Sequence, residues 1–171
     1  MEITIRMMQE SDAAEIFAFE TINREFFEKM VPSRGDDYYK FESFIMRHHA
    51  LLKEQETGIS QFYLITDSGR DIVGRINLVD IDQLTGVAAI GFRVGANHVG
   101  KGIGHKALEL LLDTDLNVRH IRGKTTTVNR ASQKTLEKSG FKQLGVSGEE
   151  FEMNGQYLRF VHYLWEPESS I

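Results

Sequence analysis

The sequence has no cysteine and only two prolines among its 171 residues. Without a thiol there is no disulfide, no zinc–thiolate site and no cysteine nucleophile. A route through an acyl-cysteine intermediate is excluded with them. No apolar run approaches the roughly 20 residues that a membrane-spanning helix needs. Met1 leads into the charged, alternating segment Glu2 to Met7 rather than an apolar leader. The expectation is therefore a soluble, cytoplasmic protein with no membrane partner. Linkers and low-complexity stretches are missing too, and 171 residues at 41% hydrophobic content fit a single domain over 1–171.

Charge is uneven rather than scarce. The net charge is −5, yet between His98 and Lys142 nine Lys/Arg stand against four acids. A basic block in an acidic chain points to a local anionic ligand or to an ordinary solvated helix face. Nucleic acid would need a broad basic surface and is not expected.

Ile3, Ile5 and Met7 alternate with polar residues as an opening strand. Ser11 and Asp12 read as an N-cap, with Glu15 three residues beyond Asp12. The helix they open buries Ala13, Ile16 and Phe17, and later Phe26 and Phe27. Beyond a turn at Pro32 to Gly35, apolar residues from Phe41 to Leu52 recur at helical spacing and predict a second helix to about Glu56. His48 lies in that stripe, as a satisfied core histidine or as a base. Period two then predicts strands over 61–66, 72–81 and 87–94, joined by turns at 67–70 and 82–86. Gly95 to Asn97 breaks the third strand. A strongly amphipathic helix follows from Ile103, then a threonine-rich strand over 119–128, then a helix from Asn129 that stops at Gly140. Two long strands finish the chain, folded about Asn154-Gly155, the favoured hairpin dipeptide. Leu158 to Trp165 is apolar enough to be buried on both faces. The order β-α-α-β-β-β-α-β-α-β-β describes a mixed α/β sandwich built on one sheet.

The most informative stretch is Val99-Gly100-Lys101-Gly102-Ile103-Gly104-His105, between a strand and a helix. Alternating glycines there remove side chains where the backbone must approach something closely. The free N–H groups of the first helical turn and the positive end of the helix dipole suit a phosphate. Gly95 to Lys101 spells GxxxxGK, but Gly102 stands where a P-loop needs Ser or Thr for magnesium. Gly102, Gly104 and Ala107 spell GxGxxA, a dinucleotide pattern that belongs in a first βα unit with an acid about 20 residues on. Here the acid is absent and the unit comes late. A purely structural glycine turn is a further reading. Coenzyme A is the last: its pyrophosphate suits the helix start, and its amide-rich arm can pair with a strand edge.

A second segment, Asn129-Arg-Ala-Ser132 through Leu136, Lys138, Gly140 and Phe141, follows the next strand. Together with Val99 to Gly104 and the preceding strand Ala88 to Val94, it resembles the GNAT N-acetyltransferase superfamily. The chain is most similar to the branch of ribosomal-protein N-terminal acetyltransferases, and the order of elements agrees end to end. The resemblance implies the acyl-coenzyme A N-acyltransferase fold, a mixed and mostly antiparallel sheet with helices on both faces. It also implies acetyl-coenzyme A as cofactor and an amine as acceptor. The backbone of Phe92, Arg93 and Val94 would pair with the pantetheine arm. Val99 and Gly100 lead into amides of Lys101, Gly102, Ile103, Gly104 and His105 that would cradle the pyrophosphate. Asn129 would bond the cofactor near its pantetheine end, and the strands around the site would splay apart.

Two positions depart from the pattern. Val99 stands where the family usually has Gln or Arg, and Leu136 where many members carry a tyrosine as general acid. The ribosomal-protein branch resembles this chain in pairing an apolar residue there with a serine three after the asparagine. Ser132 is thus the candidate acid and a further cofactor contact, or a first-turn serine that satisfies backbone donors. No acid lies on the strand leading to the glycine loop, so Asp80 and Asp82 are the candidate bases, with turn carboxylates as the alternative. With reference pKa values near 8 for an α-amine and 10.4 for lysine, roughly 10% of the first and 0.04% of the second is neutral at pH 7. A site without an obvious base therefore favours a protein N-terminal amine or a small amine of low pKa. A non-catalytic acyl-coenzyme A sensor is the alternative function. Phe26, Phe27, Tyr38 and Tyr39 either line the acceptor groove or pack in the core.

Overall fold

The computed structural model describes residues 1–114 and 116–167. Its main sheet has seven strands: β1 (Ile3–Met7), β2 (Gln61–Asp67), β3 (Ile72–Asp82), β4 (Val87–Val94), β5 (His120–Thr126), β6 (Lys142–Val146) and β9 (Phe160–Trp165). Their spatial order is β1-β2-β3-β4-β5-β9-β6, and β7 (Phe151–Met153) and β8 (Gln156–Leu158) form a separate two-stranded ribbon. Only β4 and β5 run parallel, because a helical crossover joins them; the other neighbours are antiparallel.

The helices are α1 (Ala13–Ile22), α2 (Arg24–Glu28), α3 (Phe41–Thr57), α4 (Ile103–Leu112) and α5 (Arg130–Lys138). Period-two alternation sends β2 and β3 side chains to opposite faces of the sheet. On one face Ile65, Ile76 and Leu78 pack with Ala107, Leu108 and Leu111 of α4 and Leu136 of α5. On the other, Phe62 and Leu64 meet Ile16 of α1 and Phe44 of α3. Helices therefore cover both faces, as expected of a GNAT fold. No helix among the described residues is long and apolar enough to cross a membrane.

Three local expectations are corrected. Asp12 does not cap α1 with its side chain: the Arg6 guanidinium donates to its carboxylate at 2.8 and 2.9 Å, and the Gln9 N–H at 2.7 Å. It fastens β1 to the helix start instead. The first helix does not run through to Phe27 but breaks at Asn23. That buried amide donates to Phe19 O at 2.9 Å and accepts the Ala96 N–H at 2.8 Å, which ties the end of α1 to the turn after β4. Gly95 in that turn packs closely, since a Cβ there would lie 3.2 Å from the Phe19 ring.

The third correction concerns the end of the chain. The Asn154-Gly155 hairpin forms, with φ of 53° and 77°, but it closes the small β7–β8 ribbon. The main-sheet partner of β6 is β9. Arg159 interrupts the last apolar stretch, and in β9 only Val161 and Tyr163 are fully buried, so the strand is covered on one face rather than two.

Candidate functional site

β4 and β5 pair only at Val87–His120, Ala88–Ile121 and Ala89–Arg122. Beyond Ala89, β4 continues to Val94 with β3 as its only partner, while β5 continues to Thr126 against β9. The sheet therefore opens between two of its central strands. Gly123 lies at the fork, where a Cβ would meet Leu136 Cδ2 at 3.2 Å and Ile90 Cγ2 at 3.3 Å. Those two side chains occupy the wedge, and a side chain at 123 would have to push them back by a few tenths of an ångström. Leu136 is thus fully committed to packing and has no proton to give.

The glycine loop sits at the wide end of this fork. Gly100 and Gly102 have φ of 77° and 76°, the left-handed region that favours glycine. Gly102 is the N-cap of α4, and the Lys106 N–H finds Gly102 O at 3.0 Å. By helix geometry the amides of the preceding first turn have no carbonyl one turn back, so they face outward. A Cβ on Gly102 would meet no protein atom within 4 Å; one on Gly104 would reach the Phe92 ring and Thr135 at 3.6 Å. Strand β4, helix α4 and helix α5 converge at Gly104.

A groove of about 370 Å³ runs through this junction. Its wall includes Phe92, Arg93, Val94, Val99, Gly100, Gly102, Ile103, Gly104, His105, Asn129 and Ser132, so it brings together every expected cofactor contact except Lys101. Lys101 is exposed on the loop between the two left-handed glycines. Of the basic block, Lys134 and Lys138 line the same groove. Helix α5 is held in place by its own cap: Asn129 Oδ1 accepts the Ser132 N–H at 3.2 Å. Gln133 also donates to Thr126 O at 3.0 Å and Thr127 O at 3.2 Å, anchoring α5 to the end of β5. The Ser132 hydroxyl caps nothing; among the described residues it has no hydrogen bond.

A second cavity, of about 600 Å³, meets the first at Met30, Val31, Phe92, Arg93, Asn129 and Ser132. Its floor is a network the sequence reading missed. Glu20 of α1 is completely buried and accepts from Arg75 at 2.6 Å, Arg93 at 2.9 Å and Tyr38 at 3.2 Å. Burial pushes the Glu20 carboxyl up, but the charges of Arg75, Arg93 and Arg34 and the Arg75 hydrogen bond outweigh it and hold the pKa below the usual value. The Arg93 guanidinium also lies 4.4 Å from the centre of the Phe27 ring. The signal was available: Glu20 falls on the same stripe of α1 as Ala13 and Ile16. Phe26 and Phe27 line the cofactor groove, whereas Tyr38 and Tyr39 pack in the core beside Phe44.

Asp80 and Asp82 do not reach either cavity. They end β3 just beyond Val79, the last residue of that strand to line the second cavity, and both are exposed. Asp82 Oδ1 accepts the Leu84 and Thr85 N–H groups at 2.9 and 3.3 Å, a turn role that holds its pKa low. Asp80, at φ 52°, forms the bulge before that turn. His48 is buried with Nε2 against Gln9 O at 3.1 Å, a satisfied core histidine. Among the described residues Glu54 is the one carboxylate lining either cavity; it accepts the Ser60 hydroxyl at 3.0 Å. No group of three His, Asp or Glu side chains among the described residues could hold a metal.

Three residues that line the cavities each have a buried side-chain polar atom without a partner among the described residues. These are His98 Nδ1 in the first, and Asn77 Oδ1 and Thr126 Oγ1 in the second. Such atoms are uncommon in native interiors. Bare amides, a strand with a free edge and nearby lysines suit a molecule with a pyrophosphate at one end and an amide-rich arm at the other.

Comparison with known proteins agrees with that geometry. Residues 2–142 match the acetyltransferase (GNAT) domain model. A probable N-acetyltransferase of Bacillus subtilis (strain 168), YjcK, is 30% identical over 161 residues, which is 90% of this chain and 87% of that protein. The ribosomal-protein-S5-alanine acetyltransferase of Vibrio fischeri superposes with a TM-score of 0.89 at 20% identity, covering 97% and 93% of the two chains. The ribosomal L7/L12 α-N-protein acetyltransferase RimL, solved with coenzyme A, gives a TM-score of 0.86 at 18% identity, over 96% and 93%.

Proposed function

The chain belongs to the acetyltransferase (GNAT) family and is an N-acetyltransferase that uses acetyl-coenzyme A, and we propose that its acceptor is a primary amine, with a protein N-terminal α-amine favoured over a small amine. The observation that carries the reading is the fork between β4 and β5, with the glycine loop at its wide end and a second cavity joining it at Ser132 and Asn129. When bound, acetyl-coenzyme A supplies an activated acetyl thioester. The amides of Gly102 to His105 hold the pyrophosphate end, with Lys134 and Lys138 as charged neighbours. The free edge of β4 beyond Ala89 offers main-chain groups to the arm and a donor to the thioester carbonyl.

The acceptor enters from the second cavity, which brings its nitrogen to the carbonyl in a ternary complex. In this reading the C–N bond forms as the C–S bond breaks. The Ser132 hydroxyl would hydrogen-bond the departing thiolate and relay to it a proton that the one given up by the amine replaces. The Asn129 amide NH₂, left over from capping, would bond the cofactor arm. Glu54 replaces Asp80 and Asp82 as the carboxylate offered to the amine's proton. An α-amine near pKa 8 is already about one-tenth neutral at pH 7, so little help from a base is needed.

The test is release of free thiol from acetyl-coenzyme A in the presence of N-terminal peptides. With no cysteine in the chain, every thiol detected is released coenzyme. Amine-dependent release is expected. Saturable coenzyme binding with no release on any amine would leave only the sensor reading.

A further inference from the structure

The second cavity is lined by Arg34, Arg47, Arg75, Arg93 and Lys124, against Glu54 as its one carboxylate among the described residues. These cations come from five different segments: the loop before Asp36, α3, β3, β4 and β5. Their convergence is therefore not an accident of one helix face. Four of the five are absent from the cofactor groove, which has Lys134 and Lys138 of its own. The phosphates of the donor do not explain them.

Nor does the protein neutralise them. Arg75 and Arg93 share a single carboxylate, Glu20. Arg34 stands over the Tyr38 ring at 5.0 Å, beside the same network, and Lys124 lies 4.6 Å from the Phe160 ring centre. Arg34, Arg47 and Lys124 have no ion pair among the described residues. In a chain of net charge −5 this is a local concentration of positive charge around a concave site, with Arg75 buried, Arg93 half-buried and Arg34, Arg47 and Lys124 exposed. Asn77 and Thr126 add polar side chains to the residues that line the cavity.

We propose that the acceptor carries an anionic group beside its amine, a carboxylate or phosphate that the Arg34, Arg47, Arg75, Arg93 and Lys124 cluster selects. The proposal rests on the reading of this cavity as the acceptor's. A polyamine, cationic along its length, meets like charge at the entrance and is rejected; a neutral amine gains nothing from the cluster. The anion is either an acidic side chain near a peptide N-terminus or the phosphate of a small amine.

Three C-terminally amidated dipeptides with the same α-amine, Ala-Glu, Ala-Gln and Ala-Lys, which differ only in the charge of the second side chain, together with phosphoethanolamine and spermidine, separate these cases by thiol release. Ala-Glu should exceed Ala-Lys in kcat/KM by about tenfold or more at low salt, with the gap narrowing as ionic strength rises. Spermidine should be the poorest acceptor. A faster rate for phosphoethanolamine than for Ala-Glu assigns the anion to a small phosphate, and the reverse to a peptide. Arg47→Glu and Lys124→Glu, both at exposed positions, should raise KM for Ala-Glu about tenfold while KM for acetyl-coenzyme A holds. Equal rates across the dipeptides, or preference for Ala-Lys or spermidine, overturns the anionic acceptor and leaves the transfer reading intact. If no amine is acetylated, the transfer reading fails, and calorimetry on the complex with coenzyme A still reads the cavity. Tighter binding of Ala-Glu than of Ala-Lys upholds the anionic preference, and equal or absent binding overturns it.

Discussion

Arg75 and Arg93 stand directly opposite each other in the β3–β4 ladder, two like charges that share the buried carboxylate of Glu20. Like charges in that relation repel and destabilise a sheet. Here one carboxylate bridges both and Tyr38 adds a third hydrogen bond. The strand edge that borders the cofactor groove is thus fixed by a residue of α1, some 55 to 73 positions away in sequence.

Glu20→Gln should be severely destabilising, because it strands two buried guanidinium groups. The loss should be about 3–5 kcal/mol, measured by denaturant unfolding near pH 7. The pH dependence follows from the depressed pKa of Glu20. The network's contribution is fully present above the ordinary glutamate value near 4.5 and is lost as pH falls through the lower value of the folded state. The stability gap between wild type and variant should therefore shrink below about pH 4. A gap that stays constant from pH 7 to pH 3 would contradict a charged Glu20.

Ser132→Ala should leave the melting temperature unchanged, since Asn129 and not the Ser132 hydroxyl caps α5. Its kcat should fall on the order of ten- to a hundredfold with KM for acetyl-coenzyme A held. Asn129→Ala should instead cost about 1 kcal/mol of stability and weaken coenzyme binding. Equal turnover in Ser132→Ala would remove the serine from the chemistry.

The rate should track the neutral fraction of the acceptor. For an α-amine, kcat/KM is expected to rise about tenfold per pH unit from pH 6 and to level near the amine pKa of about 8. A plateau already reached at pH 6 would mean that a group of the enzyme, with Glu54 the nearest in kind, removes the proton before attack is limiting.

What was legible in the sequence was local. The glycine loop, the Asn129 helix start and the period-two strands are each specified by neighbours in the chain, and all came out where expected. The fork between β4 and β5 was expected only by family resemblance, because where their pairing stops, at Ala89–Arg122, is a tertiary feature that neither strand's own pattern carries. The cationic cavity was invisible for the same reason, being assembled from residues 34 to 124. Glu20 left a trace as a charge on an apolar helix stripe, and Asn23 left none. Asp80 and Asp82 misled because nothing in the sequence shows that the part of β3 lining the cavity stops at Val79. The tail failed where one hairpin dipeptide could close either a long ribbon or a short one.

The most direct measurement is a calorimetric titration of coenzyme A into wild type and Gly102→Val. Around Gly102 there is open space for a side chain, so no protein atom is displaced, although a left-handed φ in a non-glycine residue costs roughly 1–2 kcal/mol of folding stability. Wild type should bind one coenzyme per chain. The variant, still folded by its melting curve, should bind at least about tenfold more weakly, a loss near 1.4 kcal/mol. Equal affinity in the two proteins would contradict a pyrophosphate held by the bare main chain at this helix start.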